Sequence, residues 1–213
     1  MIMVKKIIAV LLGTLFIYFG FCLVIKAGVG LDAWDALLLT ASAVLGMKVG
    51  TLAILFSIFL IAGQLIMEGR NFRPVQFLQL LNVFFGGNIL NYFVYSLFSD
   101  LRFKSYPFRI VIATFSYLLI ALGVIIIMES RLIRNPLEGF CQVVTDKCGG
   151  RMGHLRQMCD WVFIAIVLIL SFSFKTEITI REGTIICMVI FGPALDFLRN
   201  PVRKGMNKLE MNI

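Results

Sequence analysis

The sequence predicts an all-α polytopic membrane protein with six transmembrane helices and two short re-entrant or partial helices, arranged as two inverted repeats of three spans each. The first observation is composition: 60% of the 213 residues are hydrophobic and 15% are charged, whereas about 25% of a soluble domain is charged. The second is a set of apolar runs long enough to cross a bilayer. The third is a weak internal repeat. We therefore expect residues 1–213 to form a single membrane domain that has the lipid bilayer as its main partner.

The six predicted spans are the apolar runs at 6–26, 50–67, 75–98, 108–128, 155–174 and 182–198. The first run follows Lys5 and Lys6, as the core of a signal peptide would. However, Ile7 to Ile25 exceeds the usual core of about 7–15 residues, and no small-x-small cleavage site follows it. This run is therefore expected to remain as an uncleaved span.

Two further apolar segments, 33–45 and 136–148, are too short to be ordinary spans. As helices they would each be ~20 Å long, against a hydrocarbon core of ~30 Å. They are therefore expected to be re-entrant, to lie at the interface, or to be buried against other helices. If they crossed fully instead, each half would have four spans and the repeats would be parallel.

The basic residues predict the orientation of the chain. With the N-terminus inside, 13 Lys and Arg residues lie in cytoplasmic segments and 7 in outer segments. The positive-inside rule therefore places both termini, including a basic tail at 199–213, in the cytoplasm. The formal charge of +8 also raises the question of nucleic acid. No nucleic-acid partner is expected, because the basic residues flank apolar runs and form no groove with aromatic platforms.

The five cysteines are odd in number and mostly lie within apolar runs, which is typical of small packing residues rather than disulfide partners. Cys141, Cys148, His154 and Cys159 lie close together in the sequence, but their spacing matches no compact zinc pattern. We therefore expect neither a metal nor a cofactor.

An internal repeat becomes visible when the chain is shifted by 103 residues, so that 20–50 lies over 123–153. After a slip of two residues, 87–93 lies over 192–198. Repeat one is thus 6–98 and repeat two is 108–198. Three spans per repeat force opposite orientations, which is the plan of many secondary transporters. The matched pairs are Gly20 with Gly123, Asp32 with Asn135, Asp35 with Glu138, Gly46 with Gly149, Lys48 with Arg151, Gly50 with Gly153, and Asn91 with Asp196.

Both short helices begin with the pattern of a capping box. Asp32 and Asp35 take the N-cap and N3 positions of the first, and Asn135 and Glu138 those of the second. Pro136 suits the first helical position, which needs no N–H. In a bilayer such caps are a structural necessity, because backbone donors find no water there. The remaining hinge or cap candidates are Gly28, Gly30, Gly46, Gly50, Gly149 and Gly153.

A functional role is compatible with the same geometry. A partial helix that begins inside the membrane directs its positive end at a central cavity, which normally favours an anion. Here carboxylates already occupy that end, so a cation, a neutral polar solute or a proton-coupled substrate suits the site better. Trp34 either lines the cavity or belongs to an aromatic belt. Asn91 and Asp196 are polar residues within spans, where such groups are expensive; Asp196 is either a proton site or an ion-pair partner of Arg199.

Three segments resemble the YczE/YyaS/YitT group of bacterial integral membrane proteins: "AGVGLDAWDAL" (27–37), "GMKVGT" (46–51) and "GTIICMVIFGPALDFL" (183–198). The resemblance covers 7–200. Ala33 departs from the proline expected before the tryptophan, although Pro136 supplies one in the second copy. The resemblance implies a multi-pass protein of the bacterial plasma membrane, sometimes grouped with exporters, and assigns no substrate.

The leading functional hypothesis is a small-solute transporter, with export favoured, that works by rocking of the inverted halves. The alternative is a non-transporting binding or accessory subunit, for which the tail at 199–213 is a docking element. A homo-oligomer or a membrane partner remains open in either case. An enzyme is not expected, because the chain has no GxSxG or HExxH motif and a single histidine. Asp32 and Asp35 share one cap, which suits an aspartyl mechanism poorly.

Overall fold

A computed structural model describes the backbone of residues 2–149 and 152–208. The side chains of Ile2, Met152, Gly153, Gly192 and Asp196 are outside this description. Throughout these ranges the chain forms helices joined by short loops, with no strand. The helices are α1 (Ile2–Ala27), α2 (Ala33–Leu45), α3 (Val49–Glu68), α4 (Leu78–Tyr92), α5 (Tyr106–Ser130), α6 (Pro136–Cys148), α7 (Met152–Phe174) and α8 (Glu182–Lys208). Short 3-10 turns precede α4, and a π-helical turn, Phe93–Leu97, extends it.

Five of the described helices are long and apolar enough to cross a membrane: α1, α3, α4 with its extensions, α5 and α7. Helix α8 is a sixth candidate when its two parts, Glu182–Leu195 and Phe197–Lys208, count as one span bent by 41°. Large apolar side chains such as Ile66, which is 81% exposed, point away from the bundle, as lipid-facing residues do. The predicted all-helical, multi-pass membrane protein is therefore confirmed, with five to six spans.

The two short helices have the predicted bounds and pack against long helices. Helix α2 lies along α7 and contacts α3, whereas α6 lies along α3 and contacts α7. Gly46 ends α2 in the left-handed region, with φ 64°, a conformation that favours glycine. One face of each short helix is thus buried in the bundle, and its N-terminal end finds protein partners instead of lipid, whereas the C-terminal ends at 45–48 and 146–149 are exposed.

Helices α1 and α5 form the central pair of the bundle and run antiparallel. A Cβ atom on Gly13 would lie 2.7 Å from the carbonyl oxygen of Gly123, and one on Gly20 would lie 2.9 Å from that of Ser116. The residue numbers of successive contacts thus rise along α1 while they fall along α5, as expected for antiparallel helices. Glycines at these two crossings let the backbones approach closely, as is common between membrane helices.

Helices α3 and α4 meet along a tight surface that we call the α3–α4 seam, formed by Gly50, Thr51, Ile54, Gly87 and Asn91. A Cβ on Gly50 would overlap the carbonyl oxygen of Gly87. Asn91 accepts a 2.9 Å hydrogen bond from the Gly50 N–H and donates one of 3.2 Å to the Thr51 hydroxyl. The first turn of α3, whose N–H groups have no helical partner, is thereby satisfied by α4.

At the C-terminal end of α5, the buried carboxylate of Glu129 ties this helix to α8. Glu129 is paired with Arg199 at 3.0 Å and with Arg203 at 3.9 Å. Arg199, which the sequence offered as a partner for Asp196, therefore has a partner on a different helix.

Candidate functional site where the short helices begin

The loop before α2 is held in place by hydrogen bonds from the second half of the chain. Gly30 has φ 115°, and its carbonyl oxygen accepts a 2.9 Å bond from the Tyr117 hydroxyl. The carbonyl oxygen of Leu31 accepts a 2.6 Å bond from the Thr184 hydroxyl. Because Tyr117 lies near the middle of α5, these bonds place the start of α2 inside the bundle.

The first cap has the predicted geometry. Asp32 is extended, and its Oδ1 accepts a 3.1 Å hydrogen bond from the backbone N–H of Asp35. Both residues are half-buried. The carboxylate of Asp32 thus satisfies one N–H of the first turn, and the Asp35 side chain lies beside it.

The second cap differs from the prediction. Asn135 is extended at the N-cap of α6, but within the described chain its side chain makes no capping hydrogen bond. The residue lines a cavity instead. The start of α6 is tied to α3, because the Nε2 of the buried Gln64 donates a 2.8 Å hydrogen bond to the carbonyl oxygen of Pro136. Gly139 leaves the space that Gln64 needs.

The starts of both short helices line one cavity of about 140 Å³, which we call the first cavity. It brings together six of the predicted residues: Asp32, Trp34, Asp35, Asn135, Pro136 and Glu138. Its polar wall also contains Thr14, Tyr18, Ser57, Asn82 and Arg156, which sequence reasoning missed. Thr14 and Asn82 lie within hydrogen-bonding distance, at 2.5 Å.

Trp34 lies in the interior. Its ring is 5.5 Å from that of Phe163 and 6.2 Å from that of Phe56. Of the two roles considered for Trp34, lining the cavity is the one that matches its position. The ring joins α2 to both α3 and α7, so it also supports the start of α2.

A second cavity, of about 250 Å³, is lined by residues of α5, α7, α8 and the start of α2. Five residues line both cavities: Asp32, Asp35, Ile120, Arg156 and Phe191. The second cavity adds Tyr117, Gln157, Asp160, Thr184, Cys187 and Met188, among others. The aspartates of α2 therefore stand between two adjoining spaces.

Arg156 is the residue that sequence reasoning placed least well. Arg156 is one of the 13 basic residues assigned above to cytoplasmic segments, although it lies within the span predicted at 155–174; in the structure it lines both cavities and pairs with Asp160. Among the described lining residues it is the sole guanidinium, facing the carboxylates of Asp32, Asp35, Glu138 and Asp160. The available signal was the i,i+4 spacing of Arg156 and Asp160 within an apolar run. The lining therefore carries more acidic than basic groups.

The remaining candidates lie elsewhere. Asn91 belongs to the α3–α4 seam, as does Gly50. Gly28 and Gly149 have positive φ angles of 64° and 77° at the ends of α1 and α6. Gly153 lies in the first turn of α7, and its burial, like the side chain of Asp196, falls outside the described parts of the chain. Among the residues that the structure does describe, no group of three or more His, Cys, Asp or Glu is placed to hold a metal ion.

Comparison with known proteins identifies the family. A family model described as a family of unknown function, DUF6198, matches residues 4–200. The chain belongs to the DUF6198 family. It is also similar to the uncharacterized protein YyaS of Bacillus subtilis (strain 168), with 24% identity over 177 residues, which cover 83% of this chain and 85% of that protein. The predicted resemblance to YyaS-type proteins is thus confirmed. No solved structure matches the chain significantly.

The DUF6198 match covers the whole candidate site. The described residues that line the two cavities lie between Thr14 and Phe191, well inside the matched range. The paired starts of α2 and α6 therefore belong to the family domain itself and are not an appendage of this chain.

Proposed function

We propose that this DUF6198 protein is a small-solute transporter of the bacterial plasma membrane that works by alternating access between two inverted halves. One observation carries the proposal: the N-termini of α2 and α6 meet at the first cavity, in the interior of the bundle. Helix ends inside a membrane protein need polar partners, and in secondary transporters such ends commonly face the substrate site.

The contacts of the central helices support an inverted repeat. The 103-residue shift converts Gly13 to Ser116 and Gly20 to Gly123. Exchanging the two repeats therefore turns the contact between Gly13 and Gly123 into a contact between Ser116 and Gly20. Both contacts are present. A pseudo-two-fold axis perpendicular to these antiparallel helices, that is, in the membrane plane, would produce such an exchange. Ile17 and Ile120, which the shift also exchanges, both line the first cavity, as residues close to such an axis would.

The helix contacts show the same exchange. The contact of α1 with α4 corresponds to that of α5 with α8, and the contact of α2 with α7 corresponds to that of α6 with α3. Likewise α2 with α3 corresponds to α6 with α7. Six of the packed pairs are therefore related by exchanging the halves, which supports repeats at 6–98 and 108–198 within one membrane domain.

The charge of the lining favours a cation, a neutral polar solute or a proton-coupled substrate. Four carboxylates and Arg156 line the two cavities, so a bare anion would meet a net negative wall. The cavities, of about 140 and 250 Å³, hold several water molecules at ~30 Å³ each, which fits a small solute. We propose binding and movement of this solute without a chemical reaction or a cofactor, and export as its direction.

The basic residues at the ends of the apolar runs favour cytoplasmic termini. Arg156 no longer contributes to this argument, because it lines the cavities. Arg199, Arg203, Lys204 and Lys208 remain at the end of α8 and support a cytoplasmic C-terminus near anionic lipid.

A second candidate function is a non-transporting accessory subunit, and helix α7 favours it. Only 11% of the most apolar 18-residue stretch of α7 is buried, and Phe172 on this helix is 73% exposed. This face fits a partner subunit, a second copy or lipid. The accessory function requires a partner and predicts no transport by the purified protein.

Thermal stabilisation tests the proposal directly. The purified protein is melted with inorganic monovalent cations, quaternary amines, polyamines, amino acids and organic anions, because a ligand that binds the folded form raises its melting temperature. We expect cationic or neutral polar solutes to stabilise it, and the same solutes to cross liposomes that contain the protein. Asp35→Asn should abolish both effects, whereas Asp100→Asn, at an exposed position, should preserve them. Transport-inactive liposomes and no stabilising solute would favour the accessory function.

A further inference from the structure

The two cavities are themselves related by the internal repeat. The 103-residue shift carries Ala53 to Arg156 and Ser57 to Asp160, and the shift after the slip carries Val83 to Met188. The first member of each pair lines the first cavity, and the second member lines the second cavity. Each half of the protein thus forms the same kind of space beside the central helices.

The two spaces differ in how tightly their helices close. In the first half, α3 and α4 are packed along the α3–α4 seam, and Val83 is 2% exposed. In the second half, the corresponding Met188 is 57% exposed, and Met188 and Gln157 both line a cavity of about 250 Å³. Within the described ranges α7 has no extensive contact with α8, whereas α3 packs extensively on α4. The most apolar 18-residue stretch of α3 is 39% buried, whereas that of α7 is 11% buried.

We propose that this asymmetry is the difference between two functional states, and that the second state exchanges the packing of the halves. In that state α7 closes onto α8, and α3 separates from α4. The inference rests on the proposed transport function and names the moving surfaces: the α3–α4 seam and its counterpart, the α7–α8 seam. The aspartates of α2 and Arg156, which border both cavities, stay at the shared centre and face one open side at a time.

The sequence permits the second seam to close as tightly as the first. The α3–α4 seam depends on two small residues, Gly50 and Gly87, whose backbones approach closely. The corresponding positions in the second half are Gly153 and Gly192. Glycine at these positions gives α7 and α8 the same freedom for close approach. The two seams have glycine at the same positions, but only the α3–α4 seam is closed. Two alternating states require this combination, because either seam must be able to close.

Cysteine cross-linking distinguishes the two states without any solute. In a background in which the five native cysteines are replaced by alanine, Thr51→Cys with Asn91→Cys spans the closed α3–α4 seam. Gln157→Cys with Met188→Cys spans the open α7–α8 seam. Ile54→Cys is the reporter, because Ile54 packs on Gly87 in the seam. Its labelling by a water-soluble thiol reagent is measured in membranes with and without the α7–α8 cross-link, and monodispersity in detergent confirms folding.

We expect both pairs to cross-link on oxidation, and the α7–α8 cross-link to speed labelling of Ile54→Cys. If the second state is a minor population of about 0.1–10%, locking it should accelerate labelling by about tenfold to a thousandfold. Gln157→Cys, without a second cysteine, is the counterpart reporter in the α7–α8 seam and should be labelled readily. Gly50→Ala, which separates helices α3 and α4, should slow this labelling, because the α7–α8 seam closes when the α3–α4 seam opens. Failure of the α7–α8 pair to cross-link in a folded protein, or cross-linking without faster labelling, would overturn the inference. Seam exchange without any solute transport would support it and count against the proposed function alone.

Discussion

Gln64 of α3 donates a 2.8 Å hydrogen bond from its Nε2 to the carbonyl oxygen of Pro136, the first residue of α6. The bond joins the first half of the chain to the short helix of the second half, and Gln64 is 1% exposed. Gln64→Leu should therefore remove a buried interhelical hydrogen bond and lower the free energy of unfolding by about 0.5–1.5 kcal/mol. Thermal or denaturant unfolding in detergent measures this loss. Gln142→Leu, at a more exposed position on α6, should change stability little, and equal losses in both variants would contradict the assignment.

Asp32 is expected to have both a structural and a functional role. Asp32→Ala removes the cap on the Asp35 N–H and should destabilise the protein by about 0.5–2 kcal/mol. Asp32→Asn retains an oxygen acceptor and should keep most of the stability, but it removes one negative charge from both cavities and should weaken binding of a cationic solute. Parallel melting and binding assays separate the two effects. Full binding in Asp32→Asn would leave capping as the only role.

Asn135→Ala is the matched comparison in the second half. Because its side chain does not cap α6 within the described chain, this change should cost less stability than Asp32→Ala. A loss as large as that of Asp32→Ala would indicate a capping bond that the structure does not contain.

Gly50 should tolerate alanine poorly. A Cβ there would overlap the Gly87 carbonyl oxygen, which is backbone and cannot turn away. Gly50→Ala should therefore open the α3–α4 seam, lower the melting temperature and increase labelling of a cysteine at Ile54. Gly205→Ala is the control, because a Cβ at Gly205 meets open space and alanine favours a helix by about 0.5–1 kcal/mol. Normal stability and unchanged labelling in Gly50→Ala would show that the seam is loose.

Arg156 should set the charge preference of the site. Arg156→Gln removes the sole guanidinium among the described lining residues, so a bound cation should gain affinity by about tenfold, or ~1.4 kcal/mol. Arg156→Lys should retain the wild-type preference, and Arg109→Gln, outside both cavities, should have no effect. The measurement is the concentration of cation that gives half-maximal thermal stabilisation. A weaker affinity for cations in a folded Arg156→Gln protein would indicate that Arg156 positions the solute instead of repelling it.

The helices could be predicted from the sequence because lipid imposes simple rules. Apolar runs, capping residues and glycines located α2 and α6 at their observed bounds, since a helix in a membrane must satisfy its own ends. Asp32 and Asn135, which the sequence analysis matched as corresponding positions, both line the first cavity.

Other features depended on tertiary geometry that periodicity does not encode. Arg156 looked like a loop residue because its charge was read as a helix-end signal, whereas in the fold its side chain lines the cavities and pairs with Asp160. Asn91 looked like a site residue because polar groups within spans are expensive, but its cost is offset by the first turn of α3. A polar residue within a predicted span can thus line a cavity, as Arg156 does, or satisfy a neighbouring helix in a seam, as Asn91 does.

Asp196 provides the final prediction, because it is the sequence counterpart of Asn91. In the first half, the amide oxygen of Asn91 accepts the Gly50 N–H when the α3–α4 seam is closed. In the second half, Gly153 and Asp196 hold these two positions, so a carboxylate would take the acceptor role when the α7–α8 seam closes. Asp196 is titratable and Asn91 is not, so closure of one seam should depend on pH and closure of the other should not.

Asp196→Asn makes the two seams alike and tests this difference. We expect normal membrane insertion, and loss of the pH dependence of α7–α8 cross-linking between Gln157→Cys and Met188→Cys. Asn91→Asp is the matched variant, and it should introduce a pH dependence into cross-linking across the α3–α4 seam, followed with cysteines at Ile54 and Val83. Cross-linking yield as a function of pH is the measurement. A pH dependence that persists unchanged in a folded Asp196→Asn protein would place the titrating group elsewhere, with the aspartates of α2 as the next candidates, because they border both cavities.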